Sequence, residues 1–276
     1  MELVHNPRLA PAKVDELTQF ALRLADAAAE VTLAHFRTAL PVDNKTEHLA
    51  DYDPVTIADK GAEEVIRNMI SDHYPEHSVL GEEHGMHKGA SDLTWVIDPI
   101  DGTRSFVAGV PLWGTLIALN DGAQPVIGVM DQPYIGERYV GRPGGSEAIT
   151  RFGTHVLKAS ACTKLSEAIF ATTDPALFDA EGVRPAFDSL QAKTRLRRFG
   201  GDCYFYCLLA SGTIDLVLDP GMQAFDIQAL IPIVEEAGGV VSNWEGGPAQ
   251  AGGNIIAAAT PELHQEALRE IAASLR

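Results

Sequence analysis

The stretch WVIDPIDGTRSF, residues 95–106, sets two aspartates three positions apart at the end of an apolar run. The apolar residues predict a buried strand, and Pro99 has no N–H with which to continue the pairing inside a sheet. We therefore expect the backbone to turn at Pro99 and to direct the carboxylates of Asp98 and Asp101 toward a common point. For an isolated Asp-x-x-Asp pattern, a turn in which the aspartates cap nearby amides is the commoner arrangement.

Two carboxylates held this close repel each other, and divalent cations relieve that repulsion. Hard carboxylate oxygens suit Mg²⁺ or Mn²⁺ better than zinc. The backbone N–H groups of Gly102 and Thr103 follow directly, and such groups bind phosphate when a helix begins there. The stretch therefore favours a phosphate site beside metal ions.

Two further segments place acidic residues at the ends of predicted elements. LGEEHG, residues 80–85, puts Glu82 and Glu83 after a strand, and AFDIQAL, residues 224–230, puts Asp226 at the start of a helix. Taken alone, the glutamates are solvated loop residues and Asp226 is a helix cap. Acidic groups at element ends on several segments are, taken together, what a multi-metal phosphoryl-transfer site requires.

The composition is that of an acidic globular protein. The chain has 276 residues, 46% of them hydrophobic, and 21 Lys and Arg against 38 Asp and Glu give a formal charge of -17. Such a surface repels nucleic acid and anionic lipid. No apolar stretch approaches the length of a membrane span, and the N-terminus lacks a signal-peptide pattern. Three cysteines are too few and too poorly spaced for a disulfide framework or zinc site. We expect a cytoplasmic protein with a small-molecule partner, without nucleic acid or membrane.

The order of predicted elements divides the chain into two halves. Long helical patterns cover about residues 13–38 and 56–73, and short β-rich runs follow them. Strands and helices then alternate toward the C-terminus, including one helix over FDIQALIPIVEEAGG, residues 225–239. The change predicts an N-terminal half, residues 1–144, with the metal and phosphate motifs, and a C-terminal half, residues 145–276, with a site at their seam.

Four segments resemble, in this order and with these separations, the inositol monophosphatase family of metal-dependent, lithium-sensitive phosphatases: DPVTIADK, GEE, WVIDPIDGTRSF and FDIQALIPIVEEAGG. The resemblance runs from the second helix onward. It implies an α+β fold, a layered α-β-α-β-α sandwich of the inositol monophosphatase and fructose-1,6-bisphosphatase type. It also implies a homodimer with two or three Mg²⁺ per site, which Mn²⁺ can replace.

The resemblance also assigns roles to individual residues. The metal ligands that it implies are Glu82, Asp98, the Ile100 carbonyl, Asp101 and Asp226. Asp59 matches the aspartate that orients the hydroxyl of Thr103, and the two together activate the attacking water. Glu83 helps to hold that water or a further metal, and the amides of Gly102 and Thr103 hold the phosphate. A protein that only binds phosphate would not need Asp59 and Thr103, so the pattern favours an enzyme.

Substrate choice lies outside the metal core. SFVAGVPLWGTLIAL and RRFGGDCYFYCLLASG resemble the histidinol-phosphate phosphatase branch more than the inositol branch. Asp202 stands where inositol enzymes have a small residue, and Asp219 at the position of their inositol-binding glutamate. L-Histidinol phosphate carries an ammonium and an imidazole, with which two carboxylates can pair. We therefore predict hydrolysis of L-histidinol phosphate in histidine biosynthesis, with inositol 1-phosphate or broad-specificity hydrolysis as the alternative.

Simpler roles stay open for several residues outside the metal core. Asp202 directly precedes a helix and fits an N-cap, and Asp219 fits a turn before the next proline. His84 and His87 flank the GEE turn, where a surface loop is a simpler interpretation than metal ligation. The basic run at residues 193–198 fits a solvated strand face.

Overall fold

The computed structural model describes residues 9–39, 42–44, 54–180 and 182–275. The first eight residues, part of the stretch examined for a signal peptide, lie outside this description. Within the described ranges the α-helices are α1 Pro11–His35, α2 Ile57–His73, α3 Thr103–Val107, α4 Arg184–Lys193, α5 Asp202–Ala210, α6 Ala224–Ile227, α7 Leu230–Glu235 and α8 Pro261–Ser274. The strands there are β1 Val42–Asn44, β2 Pro54–Thr56, β3 Ser78–Gly81, β4 Gly85–His87, β5 Thr94–Asp101, β6 Gly114–Asn120, β7 Pro125–Gln132, β8 Glu137–Arg142, β9 Gly145–Thr150, β10 Gly153–Val156, β11 Ile169–Thr172, β12 Leu196–Phe199, β13 Leu216–Met222, β14 Val240–Asn243 and β15 Gly253–Ala258.

The strands form two large sheets and one small one. In the described chain the larger sheet has the order β10-β9-β8-β7-β6-β5-β3-β4, and the second has the order β12-β11-β13-β15-β14. The larger sheet is antiparallel except where β3 runs parallel to β5. In the second sheet β11 runs parallel to both of its neighbours. The remaining pair, β1 with β2, is antiparallel.

Alternation along the strands produces the layers. Trp95 and Ile97 of β5 pack with α1 and α2, whereas Val96 joins the core formed with α5 and α7. Val217 of β13 lies in that same central core, and its neighbour Leu216 packs with α4 and α8. Each large side chain so buried contributes about 1.5 to 3 kcal/mol relative to exposure. The resulting order of layers, α-β-α-β-α, confirms the predicted fold class.

A pair of glycines brings α7 onto the larger sheet at backbone distance. Gly128 in β7 is paired with Gly141 in β8. A Cβ at Gly128 would lie 1.9 Å from the carbonyl oxygen of Ala229, and a Cβ at Gly141 would lie 2.3 Å from the backbone of Pro232. Only glycine fits at either position. Because α6 directly precedes α7, this contact sets the distance between the sheet and the segment that carries Asp226.

The turn expected at Pro99 is instead a bulge within β5. The strand continues to Asp101, and its register with β6 shifts between Asp98 and Asp101. The Pro99 carbonyl accepts a 2.8 Å hydrogen bond from Thr115 Oγ1. A bulge leaves an extra residue unpaired, so it accommodates a proline without N–H and still re-aims the neighbouring side chains.

The single helix predicted over residues 225–239 is wrong in its continuity, because the structure has two short helices, α6 and α7. Pro232 supplies the physical reason. It has no N–H to donate to the carbonyl of Gln228, four residues earlier, and its ring crowds that carbonyl.

Other predicted elements hold, with shifted ends. The helix α2 falls within its predicted pattern, α1 begins two residues before its pattern and ends three residues before the end of it, and NDGAQ forms the expected hairpin between β6 and β7. Asp121 N–H donates to the carbonyl of Gln124 at 3.0 Å, and Gly122 has a φ of 87°. The strands β1, β2, β4 and β8 to β11 and the helix α4 were not predicted. None of the described helices is long and apolar enough to cross a membrane.

The chain passes from the larger described sheet to the second one between Val156, the end of β10, and Ile169, the start of β11. The boundary proposed between residues 144 and 145 lies in the turn from β8 to β9, inside the larger sheet. The division into residues 1–144 and 145–276 stays a prediction.

Candidate active site

A cavity of about 330 Å³ opens where β5, α3, α5 and α6 approach one another. Among the described residues its lining includes five carboxylates and one guanidinium, from Glu82, Asp98, Asp101, Asp202, Asp226 and Arg104. So many acidic groups on one concave surface create a strongly negative potential. The cavity therefore favours cations, and an anion can bind well only when cations are bound there too.

Three of these carboxylates form a compact cluster. Asp98, Asp101 and Asp226 each offer an oxygen, and the three oxygens lie within 4.8 Å of one another. Asp98 and Asp101 come from the bulged end of β5, and Asp226 comes from α6. The fold thus brings together aspartates that are far apart in the sequence. Their ligand atoms are hard carboxylate oxygens, which suit divalent cations such as Mg²⁺.

The cluster is electrostatically unfavourable without a cation. Burial, followed by the charges of Glu82 and Asp101, raises the pKa of Asp98 well above its usual range. Burial, followed by the charges of Asp202 and Asp226, raises the pKa of Asp101 in the same direction. Each ionised carboxylate disfavours ionisation of the others, and a bound divalent cation reverses that effect. The residues present therefore fit a metal site.

The aspartates of the cluster also hold their own backbone. Asp98 Oδ1 accepts a 3.0 Å hydrogen bond from Ile100 N–H inside the bulge. Asp226 Oδ2 accepts from Gln223 N–H at 2.7 Å and so completes a capping box at the start of α6. Asp98 therefore caps a nearby amide, as weighed for an isolated aspartate, whereas Asp226 is the third residue of α6 and Gln223 is its N-cap. Both side chains nevertheless converge with that of Asp101.

The GEE segment brings Glu82, but not Glu83, to the cavity lining formed by the described residues. Glu82 N–H donates to the carbonyl of Ile97 at 3.2 Å, which places Glu82 beside the end of β5. Its charge contributes to the raised pKa of Asp98. Neither His84 nor His87 belongs to that lining, in agreement with the simpler interpretation of these histidines.

Thr103 and Asp59 have separate hydrogen-bond partners in this structure. Thr103 Oγ1 donates to the carbonyl of Ile100 at 3.0 Å. Asp59 is buried in α2, and its Oδ2 accepts from N–H and Oγ1 of Thr56 at 2.8 and 2.6 Å. Burial raises the pKa of Asp59 despite these bonds. The pairing of Asp59 with Thr103 remains a prediction.

Gly102 occupies the left-handed region with a φ of 81° and directly precedes α3. Thr103 is the first residue of that short helix, and both residues line the cavity. A Cβ at position 102 would approach Asp202 Oδ2 to 3.0 Å. Glycine is therefore required both for the backbone conformation and for the approach of Asp202.

Asp202 lines the cavity at the first position of α5, close to the end of β5 that carries Asp101. Its side chain makes no capping hydrogen bond, so the N-cap interpretation is not what the structure contains. Its Oδ2 accepts a 3.2 Å hydrogen bond from Ser105 Oγ, and its φ of 44° is unusual for a non-glycine residue. Burial raises the pKa of Asp202 to about 7. The carboxylate is thus directed into the cavity at an energetic cost.

Asp219 is not among the described residues that line the cavity. It is 3% exposed, and its carboxylate accepts hydrogen bonds from Thr172 Oγ1 and Thr173 N–H at 2.8 Å and from Tyr206 OH at 3.1 Å. A substrate would have to displace these protein donors to reach the carboxylate, and the substrate-binding role expected for Asp219 stays a prediction. Thr173 does line the cavity. Asp219 therefore supports the wall instead of forming its surface.

Five of the described lining residues were not assigned a role from the sequence: Arg104, Thr173, Leu177, Gln223 and Phe225. Thr173 and Leu177 follow β11, a strand that was not predicted, and Gln223 precedes α6. The short apolar run IFAT, residues 169–172, was the available signal for β11. It was missed because four residues give little periodicity.

Comparison with known proteins agrees with the fold and the cavity. The description of the inositol monophosphatase family matches residues 13–276. The chain is 38% identical over 264 residues to a histidinol-phosphatase from Streptomyces coelicolor, covering 94% of this chain and 97% of that protein. It is 37% identical over 274 residues to the chloroplastic bifunctional phosphatase IMPL2 from Arabidopsis thaliana, covering 95% and 77%. The structure of an inositol monophosphatase from Zymomonas mobilis matches with a TM-score of 0.81 and 36% identity, over 96% of this chain and 100% of that one.

The protein is a phosphoric monoester hydrolase, an activity for which a cavity lined by clustered carboxylates is chemically suited. The chain belongs to the inositol monophosphatase family, whose members are metal-dependent. The resemblance noted in the sequence motifs is thereby confirmed.

Proposed function

We propose that this phosphatase hydrolyses L-histidinol phosphate to L-histidinol and phosphate and uses Mg²⁺. The observation that carries the substrate proposal is the carboxylate of Asp202, which faces the cavity with a raised pKa and one hydrogen bond, from Ser105, at 3.2 Å. A buried carboxylate of this kind is stabilised by a cationic partner. The ammonium of histidinol provides one, whereas inositol carries only hydroxyls.

The proposed metal ligands are the side chains of Glu82, Asp98, Asp101 and Asp226 and the carbonyl of Ile100. All five residues line the cavity. Bound there, two or three Mg²⁺ ions, or Mn²⁺ in their place, would lower the pKa of a water and neutralise charge on the phosphate and leaving oxygens. Carboxylate and carbonyl oxygens are the donors that both ions prefer.

The residues of the chain have three further tasks in this proposal. The N–H groups of Gly102 and Thr103 bind phosphate oxygens, since the first turn of a helix leaves its N–H groups without helical acceptors. The hydroxyl of Thr103 orients the attacking water and passes a proton toward Asp59. That transfer requires Thr103 Oγ1 to exchange its present acceptor, the Ile100 carbonyl, for Asp59. Glu83 helps to hold the water or a further cation.

The wall of the cavity supports a leaving group with both cationic and apolar parts. Asp202 offers a carboxylate, while Leu177 and Phe225 offer apolar surface on the same cavity. The ammonium of histidinol would pair with Asp202, and its imidazole would pack against the apolar residues. The likeness to a histidinol-phosphatase over nearly the whole chain gives independent support.

Inositol 1-phosphate is the alternative substrate, alone or within a broad range. The likeness in fold to an inositol monophosphatase favours it. The two substrates differ in charge at the leaving group, so Asp202 discriminates between the hypotheses.

The deciding experiment is phosphate release in the presence of Mg²⁺, with kcat/KM compared for L-histidinol phosphate, inositol 1-phosphate, a sugar bisphosphate and a nucleotide bisphosphate. We expect a preference for histidinol phosphate of at least about 100-fold, the size of one well-placed ion pair. Asp202→Asn should reduce that preference and leave turnover of inositol 1-phosphate nearly unchanged. A flat profile, or equal losses on both substrates in the variant, contradicts the substrate proposal and leaves the metal-dependent hydrolysis intact.

We also propose a homodimer in the cytoplasm, with no nucleic-acid or membrane partner. The homodimer rests on the family resemblance, and the location rests on the sequence features described above. Sedimentation equilibrium of the full chain tests the dimer, and a mass near that of one 29.6 kDa chain would contradict it.

A further inference from the structure

The turn that carries Glu82 to the cavity is wrapped around a buried carboxylate from another element. We call residues 81–85 the Glu82 turn. Glu63, on α2, is 0% exposed. Its Oε2 accepts a 2.7 Å hydrogen bond from Glu83 N–H, and its Oε1 accepts a 3.1 Å hydrogen bond from His84 N–H. Two successive amides of the turn are thus bound by the two oxygens of one side chain.

Arg67 closes the other end of the same turn. It lies one helical turn after Glu63 and donates from Nε to Glu63 Oε1 at 2.6 Å. A second nitrogen, Nη2, donates to the carbonyl of Gly85. The arginine therefore compensates the buried charge of Glu63 and holds the last residue of the Glu82 turn against α2.

The backbone of the turn lies directly on the Glu63 carboxylate. A Cβ at Gly81 would lie 2.1 Å from Glu63 Oε1, so a side chain at position 81 has no room. On its other side the turn is joined to β5, because Glu82 N–H donates to the carbonyl of Ile97 at 3.2 Å. Glu82 is consequently held between α2 and the strand that ends in the metal cluster.

We infer that Glu63 is a positioning residue for the divalent-cation site: it binds the backbone of the Glu82 turn and so fixes Glu82 beside Asp98. The inference rests on the proposed role of Glu82 as a metal ligand. The physical need is clear, since Glu82 and Asp98 are like charges that repel each other before a cation binds. A rigid anchor behind the turn keeps Glu82 in place and lowers the reorganisation required for binding.

The variant Glu63→Gln tests this anchor. Glutamine has nearly the same shape, but its NH₂ group cannot accept from a backbone N–H or from Arg67, so at least one bond to the turn is lost. We expect the dissociation constant for Mn²⁺, measured by electron paramagnetic resonance without substrate, to rise about 10- to 100-fold, as for supports of other metal ligands. With saturating metal, kcat should stay within about threefold of wild type. Glu64→Gln, at the adjacent exposed position, is the matched control and should bind Mn²⁺ as wild type does.

Arg67→Gln provides a second variant if Glu63→Gln folds poorly. It removes the bond to Gly85 and should weaken Mn²⁺ binding in the same direction by a smaller factor. A purely structural role for either residue would lower thermal stability without changing the Mn²⁺ dissociation constant of the folded protein, and that result overturns the inference.

A double-variant comparison separates positioning of Glu82 from any general effect. In the Glu82→Gln background, where the proposed ligand is already weakened, Glu63→Gln should change Mn²⁺ affinity by less than about twofold. An additional 10-fold loss in that background contradicts action through Glu82. If the wild-type chain binds no Mn²⁺, the metal site itself fails; if wild type and Glu63→Gln bind equally well, only the inference about Glu63 fails.

Discussion

The backbone N–H of Cys203 donates a 2.7 Å hydrogen bond to Oδ2 of Asp101. This bond joins the bulged end of β5 to the first turn of α5, directly beside Asp202. Asp101 therefore helps to position α5, the helix that carries Asp202. The metal cluster and the proposed leaving-group residue are consequently parts of one connected structure.

Replacement of Asp98 by Asn should abolish the response to divalent cations. We expect kcat/KM at saturating Mg²⁺ to fall by about three orders of magnitude, because one carboxylate of the proposed metal site is lost. The rise in unfolding temperature that Mg²⁺ gives the wild type should also disappear. Without metal, the variant should be at least as stable as wild type at pH 8, since the raised pKa of Asp98 shows that its charge is unfavourable there. Asp121→Asn, at a buried aspartate in the β6–β7 hairpin, is the control and should keep the Mg²⁺ response.

Replacement of Asp202 by Asn should stabilise the metal-free protein in a pH-dependent way. The pKa of Asp202 is raised from 3.8 to about 7 in the folded chain, chiefly by burial. Below about pH 4 the carboxyl is protonated in both the folded and unfolded states, so it imposes no penalty. As the pH rises from about 4 to 7, the unfolded state ionises first and the wild type loses stability. The variant should therefore match wild type at pH 4 and exceed it by about 1 to 3 kcal/mol at pH 8.

Urea titrations in EDTA at several pH values measure this difference. Asp72→Asn, at an exposed position on α2, is the control and should show no such trend. A constant difference between the Asp202→Asn variant and wild type from pH 4 to 8 would show that the Asp202 charge is already compensated within the protein.

Loss of the Thr103 hydroxyl should impair turnover more than binding. Thr103→Val keeps the shape of the side chain but cannot donate to the Ile100 carbonyl or orient water. We expect kcat to fall about 10²- to 10³-fold, within the range for a lost proton-transfer group, with KM changed less than about threefold. Thr103→Ser keeps the hydroxyl and should recover most of the activity. Equal activity of the two variants would exclude a catalytic role for this hydroxyl.

Removal of the Asp219 carboxylate should act on stability. Asp219→Ala leaves the donors of Thr172, Thr173 and Tyr206 without their buried acceptor, and we expect a loss of about 3 kcal/mol in the free energy of unfolding. Thermal unfolding and KM for histidinol phosphate should be measured together. An unchanged unfolding temperature with a strongly raised KM would instead support the substrate-binding role expected from the sequence.

The sequence predicted the metal cluster better than the cavity wall, for a physical reason. Asp98 and Asp101 are three positions apart, and Asp226 lies in a motif of its own, so these motifs taken together, with the family resemblance that they carry, were sufficient to identify them. The surroundings of Asp219 depend on β11, which is only four residues long, and on Tyr206 from α5. Those contacts are non-local, and a single sequence gives no direct signal for them.

The layered α+β fold class could be predicted from the sequence. Local departures from regular structure, such as the bulge in β5, could not. The apolar run in β5 indicated a buried strand, but the effect of Pro99 depended on whether the pairing with the partner strand could accommodate an extra residue. The pairing with β6 decided that question in favour of a bulge. Glu63 is a further example. The sequence predicted the helix on which it lies, four residues after Asp59, but it did not predict that Glu63 binds the Glu82 turn.

The glycine pair formed by Gly128 and Gly141 has a consequence for how such an enzyme can change over time. Because α7 rests on β7 and β8 through backbone atoms, its distance from the larger sheet is set there by the backbone and not by the size of a side chain. Exchanges among the leucines, isoleucines and valines of the central layer should therefore alter the spacing of the cluster less than a side chain at either glycine would. Substitutions in the core during evolution are thus compatible with an unchanged metal cluster, provided that Gly128 and Gly141 are retained.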